Sequence, residues 1–229
     1  MTLDSAIIVD VAQPQRPEAP SRFERREAQA ARILDAARIC FLKSGFQGAS
    51  MGDICAAASM SPGALYRYFP SKESLIEAII AADKEADAKI LADIAKAPSI
   101  IDGIATGLLA HANQVHKTGM APLFAEIYAE SMRNVAMNAI FKKSMCEPTE
   151  VIGIALQTAL DRGEINPVVP LQQLVPIMMA MGHGLVTEDL PKQGISIEAM
   201  QPAVRAMIVS LLRPADLHHY PQSKPNSLP

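Results

Sequence analysis

The stretch Ser61-Pro62-Gly63-Ala64-Leu65-Tyr66-Arg67-Tyr68-Phe69-Pro70-Ser71-Lys72-Glu73-Ser74-Leu75 decides how this chain is read. Ser61 followed by Pro62 is a helix start, an N-cap residue and then a proline at the first helical position. Ser71 opens the next helix, with Glu73 in its positively polarised first turn. A short helix of about two turns therefore lies between them. Leu65 and Phe69, four apart, share its inner face, which leaves Tyr66, Arg67 and Tyr68 for the outer face and flanks.

Working outward, Ile33, Ala37, Cys40 and Phe41 fall on one face of a preceding helix. That helix is predicted to stop at Gly45, with Phe41 and Phe46 in hydrophobic contact across a Schellman cap. Ser50 and Asp53 form a capping box, and Met51, Ile54, Cys55 and Ala58 line one face of a second short helix. Two short helices joined by about four residues (58–61), with a longer helix before and after, make a helix-turn-helix. In that motif the second helix enters the major groove, N-terminal end toward the bases. Here that helix begins at Pro62, where Gly63 and Ala64 allow close approach to DNA. Tyrosine hydroxyls suit phosphate oxygens, and Arg67 suits bidentate bonding to guanine. Lys72 adds a cation at the next helix N-terminus, itself favourable to phosphate. Packing alone is an open second reading for Tyr66 and Tyr68, and phosphate contact without base reading is one for Arg67.

Charge supports a nucleic-acid partner only when it is resolved along the chain. The net charge is −3, but residues 22–72 carry eight Lys/Arg against four Asp/Glu, leaving −7 on the remainder. A basic head on an acidic body is the distribution expected when one part meets phosphate. No apolar run approaches the roughly 20 residues that span a bilayer. The apolar segment near residues 6–11 is short for a secretory signal and follows the acidic Asp4. Cys40, Cys55 and Cys146 have no close pairing, so we expect reduced thiols and a cytoplasmic location. No phosphate loop, CxxC or Ser/His/Asp constellation is recognisable. His111 and His116, five apart, are poorly spaced for one helix face. We therefore expect no metal, no cofactor and no enzyme activity.

At this point the sequence resembles the TetR family of transcriptional regulators. The resemblance rests on Arg32-Ile33-Leu34-Asp35-Ala36-Ala37, Phe41, Gly45-Phe46, Ser50-Met51, Ile54, Ala57-Ala58 and the stretch from Ser61 to Leu75. It covers about 55 residues. It implies an all-α fold with an N-terminal three-helix DNA-binding head and a C-terminal helical ligand-binding and dimerisation body, about nine helices in all. It implies a homodimer on a near-palindromic operator, most simply a repressor released by a small molecule. By position Ser50, Ser61, Gly63, Tyr66, Tyr68 and Lys72 resemble the family's backbone contacts. Ala64 and Arg67 resemble its base-reading positions, and Pro62 is counted with the same surface.

The expected boundaries are an N-terminal arm at 1–21, the head at 22–75, the body at 76–213 and a proline-rich tail at 214–229. One long helix is predicted over 71–97, a break or kink near Pro148, and final helices over 170–187 and 196–213. Twelve methionines and few aromatics point to an adaptable apolar interior, hence an apolar or amphipathic effector. Candidate pocket residues are His111, Gln114, Glu126, Tyr128, Met132 and His183, with Glu130 and Arg133 as further polar groups. Apolar stripes on the last two helices, including Leu171, Leu174, Met178, Val204, Met207 and Leu211, would serve a dimer face; core packing explains them equally well. The competing reading is a helix-turn-helix module without an effector, regulated by a partner. A cavity in the 100–185 segment would favour the sensor, and a packed interior the module.

Overall fold

The computed structural model describes residues 21–215, which are helical throughout apart from turns and one isolated bridge. All but the last residue of the arm expected at 1–21, and most of the tail, lie outside the described residues. Ser21, placed in the arm by the sequence reading, caps helix α1 (Arg22–Gly48) through a capping box with Glu24. Within α1 the backbone leaves the helical region at Gly45 (φ 73°, ψ 169°), a conformation glycine adopts without the Cβ clash of other residues. Phe41 and Phe46 meet across this break with ring centroids 5.7 Å apart, the contact the spacing predicts; α1 nevertheless resumes to Gly48, and the extended ψ of Gly45 makes a kink where a Schellman cap was expected.

Helix α2 (Met51–Ala57) starts at the Ser50–Asp53 capping box. Helix α3 (Pro62–Tyr68) follows a turn in which Ser59 takes a left-handed φ of 52°. Helix α4 (Lys72–Ala82) is capped by Ser71, whose hydroxyl accepts from the Ser74 amide. The single helix predicted over 71–97 is in fact two, α4 and α5 (Lys84–Lys96), jointed at Asp83. No Gly or Pro marks that joint; Asp83 closes one helix and opens the next while Arg38 of α1 pairs with its carboxylate at 3.5 Å.

The body continues with α6 (Ile100–Lys117), α7 (Ala121–Ser131), α8 (Val135–Asp161), α9 (Leu171–Thr187) and α10 (Gln201–Leu212). Helix α8 runs unbroken through Pro148. The last helix begins five residues later than predicted, after two single 3₁₀ turns. The first two residues of the expected tail are held: Pro214 bridges Ile165, and the Ala215 amide donates to Glu164 at 3.0 Å.

Two apolar clusters hold these elements. The body cluster gathers Ile104, Leu156, Leu174, Met178 and Ile208 around α6. The head cluster gathers Ile33, Phe41, Phe46, Ile54, Leu65 and Leu75, and extends to Leu123, Ile127 and Met137 of α7 and α8. Each such side chain, fully buried, contributes about 1.5–3 kcal/mol. The head thus shares its core with two body helices rather than hanging from a linker.

Candidate nucleic-acid interface and ligand cavity

Helix α3 is anchored by Leu65, which is fully buried, while Phe69 and Tyr68 pack at the edge of the head cluster. Tyr66, Arg67, Pro62 and Gly63 face solvent, and Ala64 is half-buried. Nothing lies within 4 Å of where a Gly63 Cβ would be, so no contact inside the protein requires glycine there. Tyr68, by contrast, is half-buried against the head cluster.

The three serines of this region divide. Ser50 is a cap: its hydroxyl accepts from the Asp53 amide at 3.1 Å, and the Asp53 carboxylate accepts from the Ser50 amide at 2.9 Å. The Ser50 hydroxyl, donating to that carboxylate at 2.6 Å, and then the Ser50 amide hold the Asp53 carboxyl below its ordinary value. Ser71 is likewise a cap. Ser61 is an N-cap residue whose side chain makes no capping bond, which leaves its hydroxyl for another partner.

Lys72, expected as a cation at the start of α4, is also engaged within the protein. Its Nζ donates to the carbonyls of Phe46 and Ala49 (3.0 Å to the latter) and sits 4.6 Å from the centroid of the Phe46 ring. These carbonyls lie at the frayed end of α1, where helical partners run out. Arg32 performs a similar task at the turn, donating to Ala58 O at 3.3 Å.

Below the head, a cavity of about 410 Å³ opens among α4 to α9. Its inner wall is aliphatic, with Ile90, Ile94, Ile104, Leu108 and Ile152. Its charged groups are Arg38, Asp83, Lys84, Asp87 and Glu147. Burial, more than Arg38 opposes it, raises the Asp83 carboxyl, and the charge of Asp87 adds to the rise. His111 approaches Asp87 at 3.2 Å. His183 lies against the rings of Phe124, Tyr128 and Phe141 at 5.7, 5.2 and 5.6 Å. Burial, then the nearby His111, hold its imidazole below its ordinary value.

Of the six expected pocket residues, His111, Gln114 and His183 line this cavity. Tyr128 stands behind it, edge-on to Phe141 at 5.4 Å. Glu126 and Met132 do not line it. Met132 is 74% exposed at the end of α7, and the Glu126 carboxylate presses on Gly45, where a Cβ would collide with its Oε1. Sequence reasoning missed Arg38, Asp83 and Asp87. The last two are four apart and so share one helix face, but the unbroken helix assumed there gave no reason to turn that face inward.

The expected dimer residues also need correction. Leu171, Leu174, Met178 and Val204 are buried in the protomer's own core, and Leu211 is half-buried against it. Only Met207, at 50%, is well exposed. The outward faces of α9 and α10 carry Ile177 and Ala180, and Ala203, Ala206 and Met207. No Asp, Glu, Lys or Arg occurs in α9, and Arg205 is the only such residue in α10. Among the described residues no three His, Cys, Asp or Glu are grouped to hold a metal, and no helix is long and apolar enough to cross a membrane.

Comparison with known proteins places this arrangement. Residues 33–79 match the family model described as bacterial regulatory proteins, tetR family. The chain is 32% identical over 182 residues to the HTH-type transcriptional regulator UidR of Escherichia coli strain K12, covering 79% of this chain and 91% of that protein. Among solved structures, Salmonella enterica GusR superposes with a TM-score of 0.68 at 29% identity, over 81% of this chain and 96% of its own. FadR from Bacillus subtilis, solved in complex with stearoyl-CoA, has a TM-score of 0.69 at 17% identity, over 79% and 97%, a likeness of fold alone.

Proposed function

The chain belongs to the TetR family of transcriptional regulators and is not an enzyme, and from that premise we propose that it is a repressor released from its operator by an organic ligand. The observation that carries the sensor part is the cavity of about 410 Å³, within the range of small-molecule sites, beside a helix-turn-helix. A module without an effector would be expected to have a packed body. The aliphatic inner wall with ionic groups around it favours an amphipathic ligand, its apolar part inside. FadR of Bacillus subtilis holds stearoyl-CoA, a ligand of that general character, on a similar fold.

On DNA, α3 would lie in the major groove. Arg67, exposed and without a hydrogen bond or ion pair among the described residues, would read a guanine; Ala64 would offer a methyl to thymine. Tyr66, the Ser61 hydroxyl, the Gly63 backbone and Ser50 would meet phosphates. Lys72 would act chiefly by holding the end of α1 in place. One such head recognises too little sequence for useful specificity, so a pair on a near-palindrome is expected, joined through the uncharged outer faces of α9 and α10.

The switch requires that the ligand bind the non-DNA geometry more tightly; by linkage, DNA weakens ligand binding by the same factor. Arg38 is a residue of α1 that also lines the cavity, and with Asp83 it ties the head to the joint between α4 and α5. The test is operator titration with ligands found by thermal-shift screening. Ligands that stabilise the protein should lower operator affinity; if every one leaves it unchanged, the sensor reading fails.

A further inference from the structure

Glu130 of α7 is a carboxylate buried to 2% exposure, the kind of group that survives only when fully paired. Two side chains, one from α7's own end and one from the head, hold its two oxygens. Arg133, one turn on, donates to Oε2 from Nε at 2.8 Å, and Gln47 of the head donates to Oε1 from Nε2 at 2.8 Å. Burial alone would raise the Glu130 carboxyl; the bonds and charge of Arg133, with Gln47 and Asn134, outweigh it and hold it low. The partner from the head is therefore an amide donating to a fixed, ionised acceptor, a charge-assisted bond.

The position of that bond matters more than its strength. Gln47 follows the Gly45 break in α1 and stands three residues before Ser50, the N-cap of α2. Glu126, one turn before Glu130, presses on Gly45 itself. On the adjoining face of the same helix, Leu123, Phe124 and Ile127 line the cavity. Leu123 and Ile127 also belong to the head's apolar cluster. One rigid helix of 11 residues thus touches the cavity with one face and the hinge of the DNA-binding head with the next.

Resting on the sensor reading above, we propose that α7 carries the signal, with Gln47 and Glu130 as the positioning pair that couples cavity occupancy to the helix-turn-helix. A ligand that displaces Leu123 or Ile127 moves Glu130 with them. Gln47 follows, and the start of α2 with it. Without the Gln47 donor, α7 still touches the head through Leu123 and Ile127, but Glu130 no longer draws the segment before α2 along with it.

The test uses the full-length protein and a cavity-filling substitution as a stand-in for the unidentified ligand. Ser144 lines the cavity, so Ser144→Trp occupies it. Operator affinity is measured with and without that substitution in three backgrounds: the natural pair, Gln47→Met, and the exchanged pair Gln47→Glu with Glu130→Gln, which rebuilds one hydrogen bond in reverse. The expected shift in operator Kd is about fivefold or more with the natural pair, under about twofold with Gln47→Met, and restored by the exchanged pair, fivefold being the lower end of ordinary allosteric coupling. Thermal stability separates coupling from folding, because a structural role would move the melting temperature without changing the response to Ser144→Trp. Equal shifts in all three backgrounds overturn the latch and leave the sensor reading standing. No shift in any background overturns the sensor reading and the latch with it.

Discussion

The ammonium of Lys72 rests 4.6 Å above the ring of Phe46 and donates to the Phe46 carbonyl, closing the frayed end of α1 against the start of α4. Phe46 is itself buried, so the cation sits over the edge of the head's core. This geometry gives Lys72 a task that does not involve DNA.

Lys72→Met, which keeps the aliphatic stem and removes the charge, should lower head stability by about 1.5–3 kcal/mol, the worth of hydrogen bonds to a charged group. Specific and non-specific DNA affinity should fall together, because the whole head is loosened. Denaturant titration beside DNA titration decides it. Unchanged stability with weakened DNA binding would return Lys72 to the role of a direct phosphate ligand.

The outer faces of α9 and α10 supply the second prediction. Ile177→Asp or Met207→Asp should give a folded monomer, since both side chains are at least half exposed in the protomer. Met178→Asp should instead unfold the body, because Met178 is fully buried in the protomer core. Sedimentation and circular dichroism together read the outcome. A folded, dimeric Ile177→Asp/Met207→Asp double variant would place the interface elsewhere.

A third prediction concerns pH. His183 has its folded pKa below the ordinary imidazole value of about 6.5, through burial and the neighbouring His111. The unfolded chain therefore takes up a proton at higher pH than the folded one. Stability is full above about 6.5 and is lost as pH falls from there through the folded value. His183→Phe, in contact with Phe124, Phe141 and Tyr128, should flatten this decline between pH 7.5 and 5.5. Parallel melting-temperature profiles for the two proteins would assign the decline to another group.

Much of the head was legible in the sequence because its helix ends are written in local chemistry. Ser50 with Asp53 and Ser61 with Pro62 each act within a few residues and start helices where the spacing places them, and Gly45 between two phenylalanines breaks α1, which resumes as far as Gly48. The joint at Asp83 was not legible, because no Gly or Pro marks the place where α4 ends and α5 begins. The dimer stripe failed for a related reason. Leu174 and Met178 show helical periodicity whichever surface they cover, and periodicity does not say whether the covering surface belongs to the same chain. Glu126 and Glu130 have the composition of pocket residues, yet they face the head; only the fold distinguishes the two sides of α7.

Whether α3 reads DNA as one of a symmetric pair is decided by footprinting the purified protein on DNA upstream of its own gene, beside Arg67→Ala. Two protected half-sites are expected, centred about 34–36 Å apart, one helical turn. Arg67→Ala should weaken binding to that site by about 1–3 kcal/mol more than binding to unrelated DNA. Equal weakening on both DNAs, or a single unpaired protected site, would contradict paired base reading by α3.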